Sequence, residues 1–420
     1  MLKETSRLQW DNNFLMLLSG QWISKAGDSF FLLAGFWMML SLTHNPGALG
    51  VYGFATGMAQ WLSLVGGVYA DRWDPKKTLI VSDMLRAMIL LGLGFLALWH
   101  HLDPFFLILV AVVVEIVGSV FGPALRRLLP LLVDGDRMPA AVGALQSSDA
   151  GSQMVGSLLG GPLLTLLGAA SLFFLDAWSF AMSVLSFVLL RTRSSTPLQA
   201  PAPKERRPTG FQGVWQEFLD GQRALWGQAL LRSIVPLGVA ANLALAPLNV
   251  LDVVWVREVL HRGGVIYGLF SVAILAGIMG GSVMAPRLLP RVSTPAMMAS
   301  GLLAGGLGMM LFSQIPITAA DLALLIGFGI GIGSLQTTFG SLIQRNTPPT
   351  MLGRVGGALN SFLMAANPAA YLVAGVLATA LPLSTIFLGS GALLTLVAVG
   401  VIFRRHALRS EKGITQPDAP

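Results

Sequence analysis

Five carboxylates interrupt apolar runs in this chain, and each is a place where proton chemistry can occur. Asp28, Glu115 and Asp149 fall near the middle of their runs, whereas Asp176 and Asp252 fall nearer one end. A charge at the centre of a lipid-embedded helix costs roughly 2.5 to 3.5 kcal/mol, so such residues usually face a cavity and mark an ion or proton route. A carboxyl held there can load a proton and release it again. Glu115 leads the candidates because no basic residue lies within one helical turn of it. Lys25 sits three residues before Asp28 on the same helix face and can neutralise it locally. A structural hydrogen bond between helices is the alternative for all three, and the preferred reading for Asp176 and Asp252, which are expected close to water.

A second constellation is the charged hairpin from Gly67 to Lys77, with Asp71, Arg72, Lys76 and Lys77 between two apolar runs. So short a turn makes the flanking helices antiparallel neighbours, and Gly66, Gly67 and Ala70 let another backbone come close. Taken as bare residues, these are topogenic charges. A third set is made of amides inside apolar runs: Gln60, Gln146, Gln153, Asn242, Gln336 and Asn360, joined by Phe30, Phe31, Trp37, Phe339 and Phe362. An apolar pocket with a few polar groups suits bulky amphipathic ligands, and ordinary helix packing is the alternative for each residue taken singly.

Other chemistries fail on counts. There is no cysteine, which removes disulfides, thiol nucleophiles and thiolate metal sites. None of Lys3, Lys25, Lys76, Lys77, Lys204 and Lys412 follows the glycine spacing of a nucleotide-phosphate loop, so ATP is not the direct fuel. The five histidines stand in loops or at the ends of runs, and adjacent His100 and His101 read as solvated. Neither a cofactor nor a metal site is implied.

The elements that must position these residues are transmembrane helices. In 420 residues, 54% are hydrophobic and only 11% charged, with a mean hydropathy of +0.71. Runs of roughly 17 to 25 apolar residues fall near 14–40, 47–70, 78–99, 105–127, 139–167, 169–190, 230–256, 265–288, 295–315, 320–343, 354–380 and 383–403. The first run is too long, and too interrupted by Lys25 and Asp28, for a cleaved signal peptide. With the N-terminus inside, almost every Lys and Arg falls in or beside a cytoplasmic segment, and only Arg257 and Arg262 lie in an outer loop. The net charge of +7 is thus topology rather than a nucleic-acid footprint, and it predicts cytoplasmic termini on a multi-pass protein of a cell (inner) membrane.

The Pro- and Ser-rich interval 192–228 divides the chain. Residues 1–191 are expected as one six-helix bundle, 229–404 as a second, and 405–420 as a cytoplasmic tail. Inside the interval, Phe211, Val214, Trp215, Phe218, Gln222, Leu225 and Trp226 recur at helical spacing. They predict a short helix lying in the membrane interface or packed on the bundle ends. Gly281 to Arg291 repeats the charged hairpin in degenerate form, as in a duplicated six-span unit.

The hairpin's Gly67, Asp71, Arg72, Lys76 and Lys77 match a signature of the major facilitator superfamily, which the whole chain resembles. Ser82 to Ala87, Phe121 to Ala124 and Arg126 to Pro130 are similar to its drug:proton antiporter branch of macrolide and multidrug efflux proteins and siderophore (enterobactin-type) exporters. Gly143, Ser152, Gly156, Ser157, Gly160 and Gly161 are similar to the antiporter helix-packing motif, with Ser152 in place of a Gly and Ser157 in place of a Pro. The fourth span lacks the Arg that many relatives carry and has Glu115 instead.

The resemblance implies an all-α membrane protein of twelve transmembrane helices in two pseudo-symmetric bundles. It also implies that Asp71 latches against the positive end of a second-half helix, a contact of roughly 0.3 to 1 kcal/mol. The expected activity is proton-coupled efflux of amphipathic small molecules by alternating access, by a monomer surrounded by lipid, without enzymatic chemistry. A lipid or lysolipid translocator, an importer, or a non-transporting sensor or assembly factor are the alternatives on the same fold.

Overall fold

A computed structural model of the chain describes residues 11–70, 73–190, 222–223, 226–227, 229–347 and 352–403. Regular structure among them is helical throughout: α1 (Asn12–Thr43), α2 (Pro46–Ala70), α3 (Pro75–Leu98), α4 (Pro104–Gly118), α5 (Phe121–Leu128) and α6 (Met138–Leu189), then α7 (Ala229–Val254), α8 (Gly264–Leu288), α9 (Thr294–Phe312), α10 (Thr318–Asn346), α11 (Leu352–Ala365), α12 (Asn367–Ala380) and α13 (Leu383–Phe403). In lipid every backbone polar group must be satisfied within the protein, which is why apolar runs of this length become helices.

The local sequence sets the helix starts. Asp74 and Asp103 are N-caps whose carboxylates accept from the backbone N–H of Lys77 (3.0 Å) and Phe106 (2.8 Å), each followed by a proline in the first turn. Ten helical segments are long and apolar enough to cross a membrane. One of these, the 52-residue α6, divides at Gly168, and the 25-residue α2 adds another. The dozen spans expected from the sequence are all accounted for in this way.

Gly168 has φ 78° and ψ 172°, backbone that is essentially reserved to glycine. The contacts of α1 establish what happens there. Ala26 and Leu33 face Gly156 and Gly160 of the first arm of α6, with numbers rising together; Gly20 and Gly27 face Ser186 and Ser179 of the second arm, with numbers running opposite. The two arms are therefore antiparallel, joined by a single residue.

The chain divides into two compact units, Met1–Gly35 with Leu62–Phe211, and Phe36–Trp61 with Gln212–Pro420. In the first, α3 packs along α6, and Phe14, Leu17, Leu79, Phe121, Leu128 and Phe187 form a core. In the second, α8 and α10 meet backbone to backbone. A Cβ on Gly277, Gly281, Gly329 or Gly333 would strike the facing main chain, the close approach that small residues permit between membrane helices. Trp255, Phe270, Phe312 and Phe387 form an aromatic cluster nearby. Within the same unit, Gly50 of α2 touches Gly375 of α12. Large apolar side chains such as Phe105, Leu166 and Phe403 stay exposed, as lipid-facing residues do.

Candidate functional site

The first unit holds a network of charge, part of it buried and part half-exposed. Lys25 and Asp28, one turn apart on α1, pair at 2.8 Å. On α3, Asp83 and Arg86 pair at 2.6 Å with both side chains buried, Asp83 completely. Ser183, from the second arm of α6, donates to the other Asp83 oxygen at 2.7 Å. Arg86 also reaches to 4.0 Å from Asp28 and lies over the rings of Phe180 (4.2 Å) and Phe121 (5.2 Å). Its Nε has no acceptor among the described residues.

Three further carboxyls stand within electrostatic reach of this core. Glu115 of α4 senses Asp28, Arg86 and Lys25. Asp149, on the first arm of α6, senses Lys25 and Asp28. Asp176, on the second arm, senses Asp28, Arg86 and Lys25 and accepts from Ser179 Oγ at 3.1 Å. Five carboxyls thus share four helices with two cations. Taking charge out of water is tolerated only when it is paired and hydrogen-bonded. The carboxyls outnumber Lys25 and Arg86 by three, and among the described residues no group of three or more acids or histidines is placed to hold a metal ion.

Small residues bring this network together. Gly156 lies so close to Ala26 and Ser29 of α1 that a Cβ has no room, and Gly160 touches Phe30 and Leu33. Ser152, Ser157 and Gly161 of the same motif are buried as well, with the Ser152 hydroxyl donating to the Asp149 carbonyl at 2.9 Å. Gly27 faces Ser179 and Asp176. Glycine on both sides of α1 therefore sets Lys25 and Asp28 against both arms of α6. Gly143, the first position of the motif, has no neighbour within 4 Å for a Cβ to meet.

The structure corrects one expectation. Asp176, taken to lie near water, is 1% exposed. The turn at Gly168 is so tight that eight residues of helix carry Asp176 well away from the end of the span. Asp252 is half-buried in α7 and accepts from its neighbour, Val253 N–H. Asp83, Arg86 and Ser183 escaped the sequence reading, which saw residues 82–87 only as family wording. The available signal was the acid–base pair at i, i+3 inside an apolar run, the same logic that singled out Lys25 and Asp28.

Of the charged hairpin, Asp71 and Arg72 lie outside the described residues, and Gly67 falls in the last turns of α2. Lys76 donates to the carbonyls of Leu190 (2.8 Å) and Val188 (3.3 Å), satisfying the open C-terminal end of α6. Lys77 extends into the exposed surface. Most of the interfacial helix expected from Phe211 to Trp226 also lies outside the described residues, though Trp226 meets the ring of Phe362 edge-on at 5.7 Å.

The second unit holds a cavity of about 320 Å³, bounded by α7, α9, α10, α11 and α13. Three amides line it, Asn242, Gln336 and Asn360, beside Phe328 and Phe339 and otherwise non-aromatic apolar walls. Gln60, Gln146 and Gln153 are exposed on α2 and α6 and do not line it. In the same unit, Arg257 donates to Ser41 Oγ at 2.7 Å and lies 5.4 Å from the centre of the Trp37 ring, which stacks on Tyr267. Arg257 sits in a π-helical turn, Trp255–Val259, an irregularity frequent at functional positions.

Helices long and apolar enough to span a membrane, a network of charge paired between them and an amide-lined cavity fit a multi-pass membrane protein. A sequence model described as Major Facilitator Superfamily matches residues 17–371, and the chain belongs to that superfamily. It is 25% identical to the multidrug efflux pump Tap of Mycobacterium tuberculosis, over 94% of this chain and 93% of that protein. It is 26% identical to the enterobactin exporter EntS of Citrobacter koseri, over 75% of this chain and 73% of the exporter. Among solved structures, the nucleoside transporter NupG superposes with a TM-score of 0.72 at 14% identity, covering 96% of this chain and all of its own. A bacterial homologue of the iron transporter ferroportin, in an inward-facing state, gives 0.67 at 15% identity, covering 93% and 98%.

Proposed function

We propose that this protein exports amphipathic small molecules across the cell (inner) membrane in exchange for protons, by alternating access. The observation that carries the reading is the excess of carboxyls over cations in the first unit. A cluster of five acids and two bases, contributed by α1, α3, α4 and α6, changes its net charge when protons bind. A change of that kind gives a proton gradient differential affinity for two states, the only way a ligand shifts a conformational equilibrium. Likeness to a multidrug efflux pump and to an enterobactin exporter supports the outward direction.

On this reading Glu115, Asp28 and Asp149 are the coupling acids, with Asp83 and Arg86 positioning them. The sequence halves, 1–191 and 229–404, are the two bundles that move, and residues 192–228 tether them. Gly67, Asp71, Arg72, Lys76 and Lys77 form a latch at the cytoplasmic side, where both termini also lie. The protein works as a monomer in contact with lipid.

The test is uptake into inverted vesicles under an imposed pH gradient, using cationic, neutral and anionic amphiphiles. Gradient-driven accumulation of at least one class is expected. Glu115→Gln, Asp28→Asn and Asp149→Asn, singly or combined, are expected to abolish the dependence on the gradient while the proteins remain folded. Uptake by the triple variant that still follows the gradient would refute proton coupling through these acids.

A further inference from the structure

The cavity of the second unit contrasts chemically with the charged cluster, since none of its lining residues is titratable. Asn242 places one amide hydrogen on the Gly238 carbonyl at 3.3 Å. Gln336 and Asn360 also line the cavity, and both side chains are exposed, open to water or to a guest. Amides open to water on an otherwise apolar wall can exchange that water for a guest's polar groups without leaving a donor or acceptor unpaired. Amides both donate and accept, so they complete carbonyl, hydroxyl or ether groups alike. A charged guest would find no counter-charge here and would bear the full desolvation cost.

The shape is as specific as the chemistry. About 320 Å³ is at the small end of the range for drug-sized ligands, enough for a fused ring system. Gly301 and Gly331 meet main chain to main chain and fix two of the walls, whereas Gly305 faces open volume, with the Phe328 ring 3.6 Å from where its Cβ would stand. Met298 and Met364 complete the lining, and methionine side chains re-pack readily around guests of different outline.

We infer that this cavity inside the second bundle is a binding pocket for the uncharged, largely apolar ring portion of the exported molecule, held through its hydrogen-bonding oxygens by Asn242, Gln336 and Asn360. The inference rests on the efflux reading for the identity of the guest, but it concerns binding alone.

The chain's lack of cysteine makes the test direct, because a thiol introduced by substitution is unique. Gly305→Cys and Met364→Cys are made separately in the full chain, reconstituted in lipid nanodiscs without a gradient. Relative to a free thiol in water, both are expected to react roughly tenfold or more faster with methyl methanethiosulfonate than with its permanently cationic trimethylammonium-ethyl analogue. Nile red, an uncharged fused-ring dye with a carbonyl, is expected to slow the reaction severalfold, and tetraphenylphosphonium to leave it unchanged. Adding Gly305→Leu, which fills the volume, is expected to remove the protection at Met364→Cys.

Equal entry of the cationic reagent, protection by tetraphenylphosphonium equal to that by Nile red, absence of protection by Nile red, or two folded variants that react with neither reagent would each overturn the inference. Loss of gradient-driven uptake with Nile red protection intact would refute the coupling and leave the pocket standing. Absent protection with intact uptake would do the reverse.

Discussion

The two units handle polarity in lipid differently, although the second also buries one carboxylate, Asp321, against the Trp255 indole N–H. The first takes charge inside and surrounds it: Asp83 and Arg86 are buried together, braced by Ser183 and by the faces of Phe180 and Phe121. The second keeps charge out of its cavity and gains space instead, with uncharged amides on the walls and helices that meet through glycine backbones. Charge in low dielectric responds to single protons, whereas a neutral cavity responds to the shape of its guest. On the proton-exchange reading proposed above, the two tasks of sensing protons and accepting a bulky molecule fall to different units.

This contrast is open to breakage, first where charge is buried. Arg86→Ala leaves Asp83 without its counter-ion and is expected to cost about 3 to 5 kcal/mol, read as a large drop in the thermal unfolding midpoint of the purified protein; an unchanged midpoint would show that the pair does not hold the first unit together. The second unit should instead be vulnerable to volume. Gly329→Val drives new methyl groups into the main chain of α8 at Ile274 and Gly277 and is expected to cost about 1 to 3 kcal/mol, while Gln336→Leu in the neutral cavity leaves the midpoint nearly unmoved.

A smaller effect, about 1 kcal/mol, is expected for Ser183→Ala, which removes one of two partners of Asp83. The smallest has the opposite sign: Gly143→Ala meets no neighbour and should gain up to about 1 kcal/mol of helix propensity. Gly156→Ala, in the same motif, should lose stability because it pushes α1 away from α6. If the two glycine variants behave alike, the motif is not what seats Lys25 and Asp28.

Much of this was legible along the chain. Apolar run lengths located the spans, and the i, i+3 spacing of Lys25 and Asp28 foretold their pairing. Partners across helices were not legible, because a helix that is apolar around most of its circumference carries no periodic signal for which face turns inward. The Asp83–Ser183 hydrogen bond joins residues a hundred positions apart, and nothing in either local sequence points to the other. The amides illustrate the same limit: Asn242, Gln336 and Asn360 converge because α7, α10 and α11 do, whereas Gln60, Gln146 and Gln153 look identical in sequence and lie elsewhere. Lys76 reads as a topogenic charge, yet its ammonium closes the end of α6, an assignment that needs the position of Leu190.

The reversal at Gly168 bears on biogenesis. Two antiparallel spans joined by one residue leave no hydrophilic segment between them, a geometry suited to the two arms of α6 entering the membrane together as a hairpin. A side chain at that residue would strain the bend at the moment of insertion, and its penalty would be read as lost yield in the membrane fraction before it was ever read as lost transport.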